Sequence, residues 1–219
     1  VLIITASLIF FGAVFVFLFE YNNPETLGSL SPKGKVLASI FQSVSPRTAG
    51  YNTISQSGLT SASKALTTIL MFIGGSSGST AGGIKTVTFG LLVLAVISAV
   101  KGQKEIVVKS KSISIDNFVR AFSIAAIGLL MITVGSFIIT SANPQFSFEQ
   151  AFFECTSAFG TVGLTLGITP YLSIISKYVL IILMFFGRVG ILTITYALVV
   201  KMQHSNVNLK YPECKIIVG

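Results

Sequence analysis

The chain has 219 residues, of which 52% are hydrophobic and 10% charged, and its mean hydropathy is +0.84. A soluble domain so composed lacks the polar surface to cover itself, which excludes a water-exposed globular fold and points to an integral membrane protein. The net charge of +8 would suit nucleic acid if it were spread over one face, but it is gathered into two segments whose positions argue for topology instead.

In chain order, Val1–Phe19 is the first apolar run long enough to cross a hydrocarbon core of roughly 30 Å as a helix. It starts within the apolar run, without an initiator Met, a basic segment or a cleavage site, and so reads as a fragment of a longer product. A polar turn, Tyr21–Pro32, leads into a short amphipathic helix over Gly34–Pro46. Its central segment Lys35–Ser45 spans roughly 16 Å, too short to cross a bilayer and fitted to a re-entrant helix. A Gly-centred loop, Arg47–Thr53, precedes an interrupted span over Ala65–Val100. Lys64 to Lys101 would reach about 55 Å as one helix, almost twice the bilayer core, so a break is required. Gly74, Gly75, Ser76, Ser77, Gly78, Ser79, Thr80, Ala81, Gly82 and Gly83 supply it, being small and poor as helix.

Lys101, Lys104, Lys109 and Lys111 follow in one loop. Then come a span at Phe118–Ile139 running on to Thr140, a turn at Ser141–Gln145 and a second short helix over Ser147–Phe159. Ser147 and Gln150 have the spacing of a capping box. A second Gly loop, Gly160–Thr165, precedes a last span, Ser173–Lys201, whose apolar part is Ile174–Val200, and the tail carries Lys201, Lys210 and Lys215. Strand-like alternation is absent, so the fold class expected is an all-α membrane bundle. The lysine-rich loop and tail face loops holding Glu20, Glu25, Lys33 and Lys35 in one half and Glu149 and Glu154 in the other. The positive-inside bias therefore puts the inter-half loop and the C-terminus in the cytoplasm, where they can also meet anionic lipid or a partner.

The two halves repeat. Residues 48–74 align without a gap on 161–187 at a constant offset of 113, the separation of Thr48 and Thr161. Thr48-Ala49-Gly50 falls on Thr161-Val162-Gly163, Ser63-Lys64 on Ser176-Lys177, and Ile69-Leu70-Met71-Phe72 on Ile182-Leu183-Met184-Phe185. The expected division is a first unit at 1–116 and a second at 117–219, each a span, a re-entrant helix, a Gly loop and a second span. Thr161-Val162-Gly163 matches the start of the potassium-channel filter TVGYG, whose inward carbonyls replace the hydration shell of K⁺. Glycine reaches the dihedrals needed to turn successive carbonyls to one side at least cost. Two such loops at one offset, each behind a short helix and ahead of a span, make a chance match improbable.

With SPRTAGYNT (45–53), GGSSGSTAGGIKT (74–86), SAFGTVGLTLG (157–167) and FFGRVGILT (185–193), the chain resembles the C-terminal half of the membrane subunit of the Trk/Ktr/HKT superfamily of K⁺ transporters, most closely the bacterial Ktr type. The resemblance implies four span–loop–span units around one pore in a bacterial plasma membrane, with Gly50 and Gly163 as the third and fourth filter glycines and the first two units outside this chain. It implies K⁺ as the transported ion, Na⁺ as a possible activator and no organic cofactor. It also implies a homodimer docked on a cytoplasmic ring of nucleotide-binding regulatory subunits, and the segment 74–83 as an intramembrane gate. Neither loop has the second glycine of TVGYG, as is usual for the family.

Gly75 aligns with Arg188. A guanidinium in mid-span costs roughly 2.5–3.5 kcal/mol, so Arg188 must face water or an acceptor, and it is expected to bond carbonyls of the loop at 74–83. Gly78 to Lys85 misses the Walker spacing by one residue and follows no strand, which argues against phosphate binding. Asp116, Glu154 and His204 have no accompanying nucleophile or carboxylate pair, Cys155 and Cys214 have no metal-ligand spacing, and no enzyme reading emerges. His204 reads as a solvated tail residue and Glu154 as a residue near the outer mouth. The expected function is half of a passive, gated K⁺ pore; an alternating-access cation symporter and a non-conducting assembly subunit are the alternatives.

Overall fold

The computed structural model describes residues 1–76, 78–102, 106–108 and 111–190. Its helices in chain order are α1 (Leu2–Glu20), α2 (Pro32–Val44), α3 (Ser61–Phe72), α4 (Thr86–Val100), α5 (Ile115–Ala142), α6 (Phe148–Phe159) and α7 (Ile174–Val189). Among the described residues α1 and α5, at 19 and 28 residues, are long and apolar enough to cross a membrane. Helix α1 packs along α2 and α3, while α5, α6 and α7 pack on one another, and α3 against α6 joins the two halves.

The helix starts follow from local caps. Ser147 and Gln150 close the expected capping box on α6, with both reciprocal bonds present. Helix α2 begins earlier than expected because Ser31 caps it, accepting from the Gly34 amide at 3.2 Å, and Pro32 fits its first turn. Helix α3 likewise begins at Ser61 rather than Ala65, capped by Thr60; Ser173, at the same offset of 113, caps α7.

The required break in the second span lies at 73–85, around the expected 74–83, and α4 resumes at Thr86. Two features differ from expectation. The last span is not continuous over Ile174–Val200: α7 ends at Val189, where Gly190 takes a φ of 85°, open to glycine at little cost. Residues 191–219, with His204, Cys214, Lys201, Lys210 and Lys215, lie outside the described residues, as do Lys104 and Lys109. The second difference is a short antiparallel hairpin in the lysine-rich loop, β1 (Ile106–Val108) paired with β2 (Lys111–Ile113), an addition to the helical architecture.

Alongside an apolar core, many small polar residues are buried and many large apolar ones are exposed. Ser39, Gln42, Ser43, Ser63, Thr67, Ser136 and Ser176 are buried, whereas Leu2, Phe10, Leu18, Phe122, Leu130 and Ile174 are exposed. Small polar residues between helices and apolar residues outside are what a hydrocarbon surround favours. Close approach explains two glycines: a Cβ on Gly12 would strike Ser43, and one on Gly128 would strike the Phe159 ring.

Candidate functional site

The two Thr-x-Gly loops follow directly on α2 and α6. The amides of Ala49 and Gly50 both donate to the Ser45 carbonyl at 3.1 Å; in the second half the Thr161 amide donates to Ala158 at 3.0 Å and the Val162 amide to Ser157 at 2.9 Å. The loop amides are thus used on the side of the short helix. Thr48 has φ 72°, Gly50 74°, Thr161 51° and Gly163 92°, and the intervening Ala49 and Val162 are not among the positive-φ residues. The two loops thus share one pattern of φ, positive at the Thr and the Gly and not at the residue between them. A left-handed threonine is uncommon for a β-branched residue, and both copies have it.

The loops also meet. A Cβ on Gly50 would collide with the Val162 carbonyl oxygen, and one on Gly160 would come within 2.6 Å of the Met71 carbonyl oxygen. Glycine at 50 is therefore needed twice, for its dihedral and for the approach of the second loop. Met71 of α3 is buried with Phe153, Val162, Leu164 and Leu166, and the Phe72 and Phe159 rings stack at 6.1 Å, so the first half's second span supports the second half's loop. A cavity of about 640 Å³ runs along Thr161, Val162, Gly163 and Thr165 from Glu154 to Arg188.

The segment 74–83 forms a closed loop between α3 and α4. The Ile84 amide donates to Phe72 at 3.0 Å, the Gly74 amide to Ile84 at 2.9 Å and the Thr86 amide to Gly75 at 3.1 Å, which fixes its neck. Arg188 donates from Nη1 to the Thr80 carbonyl. Lys85 Nζ donates to the Ala81 carbonyl and, at 3.3 Å, to that of Ser79. Three consecutive carbonyls at the tip are thus held by two cations. The Gly82 amide donates to Thr161 Oγ1 at 3.1 Å, which seats the loop against the second Thr-x-Gly segment. Ser77 lies outside the described residues.

Sequence reasoning missed Lys85, although its place directly after the small-residue run was a usable signal, and it missed the two left-handed threonines. Glu154 was placed near an outer mouth; it is 4% exposed and lines the cavity beside the second loop. It accepts from Thr165 Oγ1, from the Leu166 amide at 3.0 Å and from Thr169 Oγ1 at 2.9 Å, and so holds the segment that leaves the Thr-x-Gly loop. The described residues contain no cluster of His, Cys, Asp or Glu able to hold a metal ion.

The model of the TrkH family, cation transport protein, matches residues 1–210. The chain belongs to this family. It is 41% identical over 93% of its length to the Ktr system potassium uptake protein B of Bacillus subtilis, covering 45% of that protein. It is 39% identical over 97% of its length to the potassium/sodium uptake protein NtpJ of Enterococcus hirae, covering 48% of it. The chain thus spans about half the length of the curated relatives it matches. The crystal structure of the potassium transporter TrkH from Vibrio parahaemolyticus superposes with a TM-score of 0.70 at 23% identity, over 89% of this chain and 43% of that one, a likeness of fold. Membership in this family makes the chain part of a membrane transporter and not an enzyme.

Proposed function

We propose that the chain forms half of a gated K⁺-selective pore, its two halves, 1–116 and 117–219, each a span–loop–span unit with a re-entrant helix. The observation that carries this reading is the paired backbone alternation at Thr48-Ala49-Gly50 and Thr161-Val162-Gly163, with the two segments in contact. In a filter of this kind, inward carbonyls replace the hydration shell of a dehydrated cation. The C-terminal ends of α2 and α6 lie at the start of the two loops and add partial negative charge there. Below them, the loop at 74–83 with Arg188 and Lys85 forms the gate, because two fixed cations in a low-dielectric passage raise the barrier to a third.

The potassium uptake named for the relatives from Bacillus subtilis and Vibrio alginolyticus supports K⁺ as the substrate, and the potassium/sodium uptake named for the Enterococcus relative supports Na⁺ as a second ion. The rest of the pore comes from two further loops outside this chain. The complete protein sits as a homodimer in the bacterial plasma membrane, C-terminus in the cytoplasm, on a nucleotide-binding regulatory ring. The lysine-rich segment from Lys101 to Lys111 is suited by charge to that ring or to anionic lipid.

The test is K⁺ and Na⁺ uptake by the full-length protein carrying Gly163→Ser or Gly163→Asp. Both variants are expected to lose K⁺ preference, the aspartate more completely. Unchanged K⁺ affinity and selectivity in both would remove Gly163 from the filter.

A further inference from the structure

The loop at 74–83 and the Thr-x-Gly segment of the second half share one atom. Thr161 Oγ1 accepts the Gly82 amide at 3.1 Å, and a Cβ on Gly82 would lie 2.6 Å from that oxygen and 2.8 Å from the Gly160 carbonyl oxygen. The seat therefore admits glycine alone. Its counterpart in the first half is different: Thr48 Oγ1 is buried and has no hydrogen-bond partner among the described residues. Two threonines equivalent by the repeat, and both left-handed, thus differ in whether the loop occupies the hydroxyl.

A cation coordinated by Thr161 Oγ1 needs a lone pair of that oxygen and a negative surround. A docked Gly82 directs the positive end of an amide dipole at the same oxygen, in a site where charge is poorly screened. Building on the K⁺-pore reading, we infer that K⁺ and the Gly82 amide compete for the Thr161 hydroxyl, so that the permeant ion itself helps release the gate loop. Linkage makes the effect reciprocal: docking of the loop weakens K⁺ binding at this level by the same factor by which K⁺ weakens docking. The first half takes no part, because the Thr48 hydroxyl has no loop to release.

Hydrogen exchange followed by mass spectrometry on the full-length protein in nanodiscs reads this directly, in a peptide covering 78–83. Without K⁺ the Gly82 amide is protected, and saturating K⁺ speeds its exchange about three- to tenfold, the range set by one hydrogen bond. Replacing K⁺ by N-methylglucamine restores protection. Thr161→Val exchanges fast in both conditions, Thr161→Ser retains the K⁺ response, and Thr48→Val keeps the loop protected without K⁺. Protection in Thr161→Val equal to wild type overturns the inference, as does a loss of response in Thr161→Ser. K⁺-blind exchange in a wild-type protein that still takes up K⁺ overturns it while leaving the pore reading standing. A wild type without K⁺ preference overturns both.

Discussion

Four residues decide the backbone of the candidate filter, and two of them are not glycine. Glycine at 50 and 163 is legible in a sequence, because a repeated Gly after a short helix invites a backbone reason. Threonine at 48 and 161 reads as a side-chain choice, yet both lie in the left-handed region. The environment that holds them there comes from neighbours and from the facing loop, which no local pattern encodes. The two glycines are also unequal. A Cβ on Gly50 would meet the Val162 carbonyl, whereas one on Gly163 would meet nothing within 4 Å among the described residues. Gly163→Ala should therefore cost only the left-handed penalty of about 1–2 kcal/mol. Gly50→Ala should add displacement of the second loop to the same penalty. Thermal melts of the two purified full-length variants check this, with Gly50→Ala expected to melt lower; equal melting would show that the loops are further apart than the structure has them.

Between elements, the two halves repeat their fastenings as well as their helices, though with different side chains. Glu20, at the end of α1, is fully buried and accepts from Asn23 and Thr26 at 2.6 Å and from the Thr60 amide and hydroxyl at 2.9 and 2.7 Å. Asn143, just past α5, accepts from the Ser173 amide at 2.9 Å and donates to Ser176 at 2.6 Å. Thr60 and Ser173 are equivalent by the repeat, so each first span grips the start of its second. Gln56 and Thr169, again equivalent, are tied to α2 and α6 by Gln42 and Glu154. From sequence Glu20 reads as a charge of an outer loop and Glu154 as a residue near the outer mouth, and neither fastening is legible, since the partners lie up to 40 residues away and the gripping residues do not align. Glu20→Ala leaves several buried donors unpaired and should destabilise by about 3 kcal/mol or more, with Asn143→Ala milder at about 1–3 kcal/mol. Denaturation in detergent by helix content measures both; a neutral Glu20→Ala would mean that water reaches those donors.

The loop at 74–83, proposed as the gate, belongs to this scale too. The helix break there was legible because 37 residues cannot form one span, while the contacts of the loop with Thr161 and Lys85 were not, since the small residues there bond through their backbone. Deleting Gly75–Gly82 or making Arg188→Gln should raise K⁺ flux severalfold and leave K⁺/Na⁺ preference intact. The double change should be less than additive, because the two act through one contact at Thr80. Reduced flux in a normally inserted deletion variant would make the segment structural packing.

For the molecule as a whole, composition implied a membrane surround, which the exposed apolar residues suit, and the repeat implied two similar halves. The stop of α7 at Gly190 and the hairpin before α5 were not legible, because an apolar run continues past the first and the second is three residues a strand. The contact of Gly50 with the Val162 carbonyl sets how far this chain alone can go. Two Thr-x-Gly segments meet on one side, and the cavity of about 640 Å³ beside Thr161–Thr165 lies along the flank of the second. Carbonyls from two loops cannot enclose a cation as those from four do, so a bare half leaves an ion partly hydrated and poorly discriminated. Residues 1–219 expressed alone and reconstituted in liposomes should therefore show no K⁺-selective flux, and co-expression with a half supplying two further Thr-x-Gly loops should restore it. A two-fold pairing of this chain with itself would also bring four loops together, and cross-linking with sizing of the reconstituted species separates that case. Selective K⁺ flux from a fragment shown to be monomeric would overturn the half-pore reading, since two loops would then suffice for the coordination assigned to four.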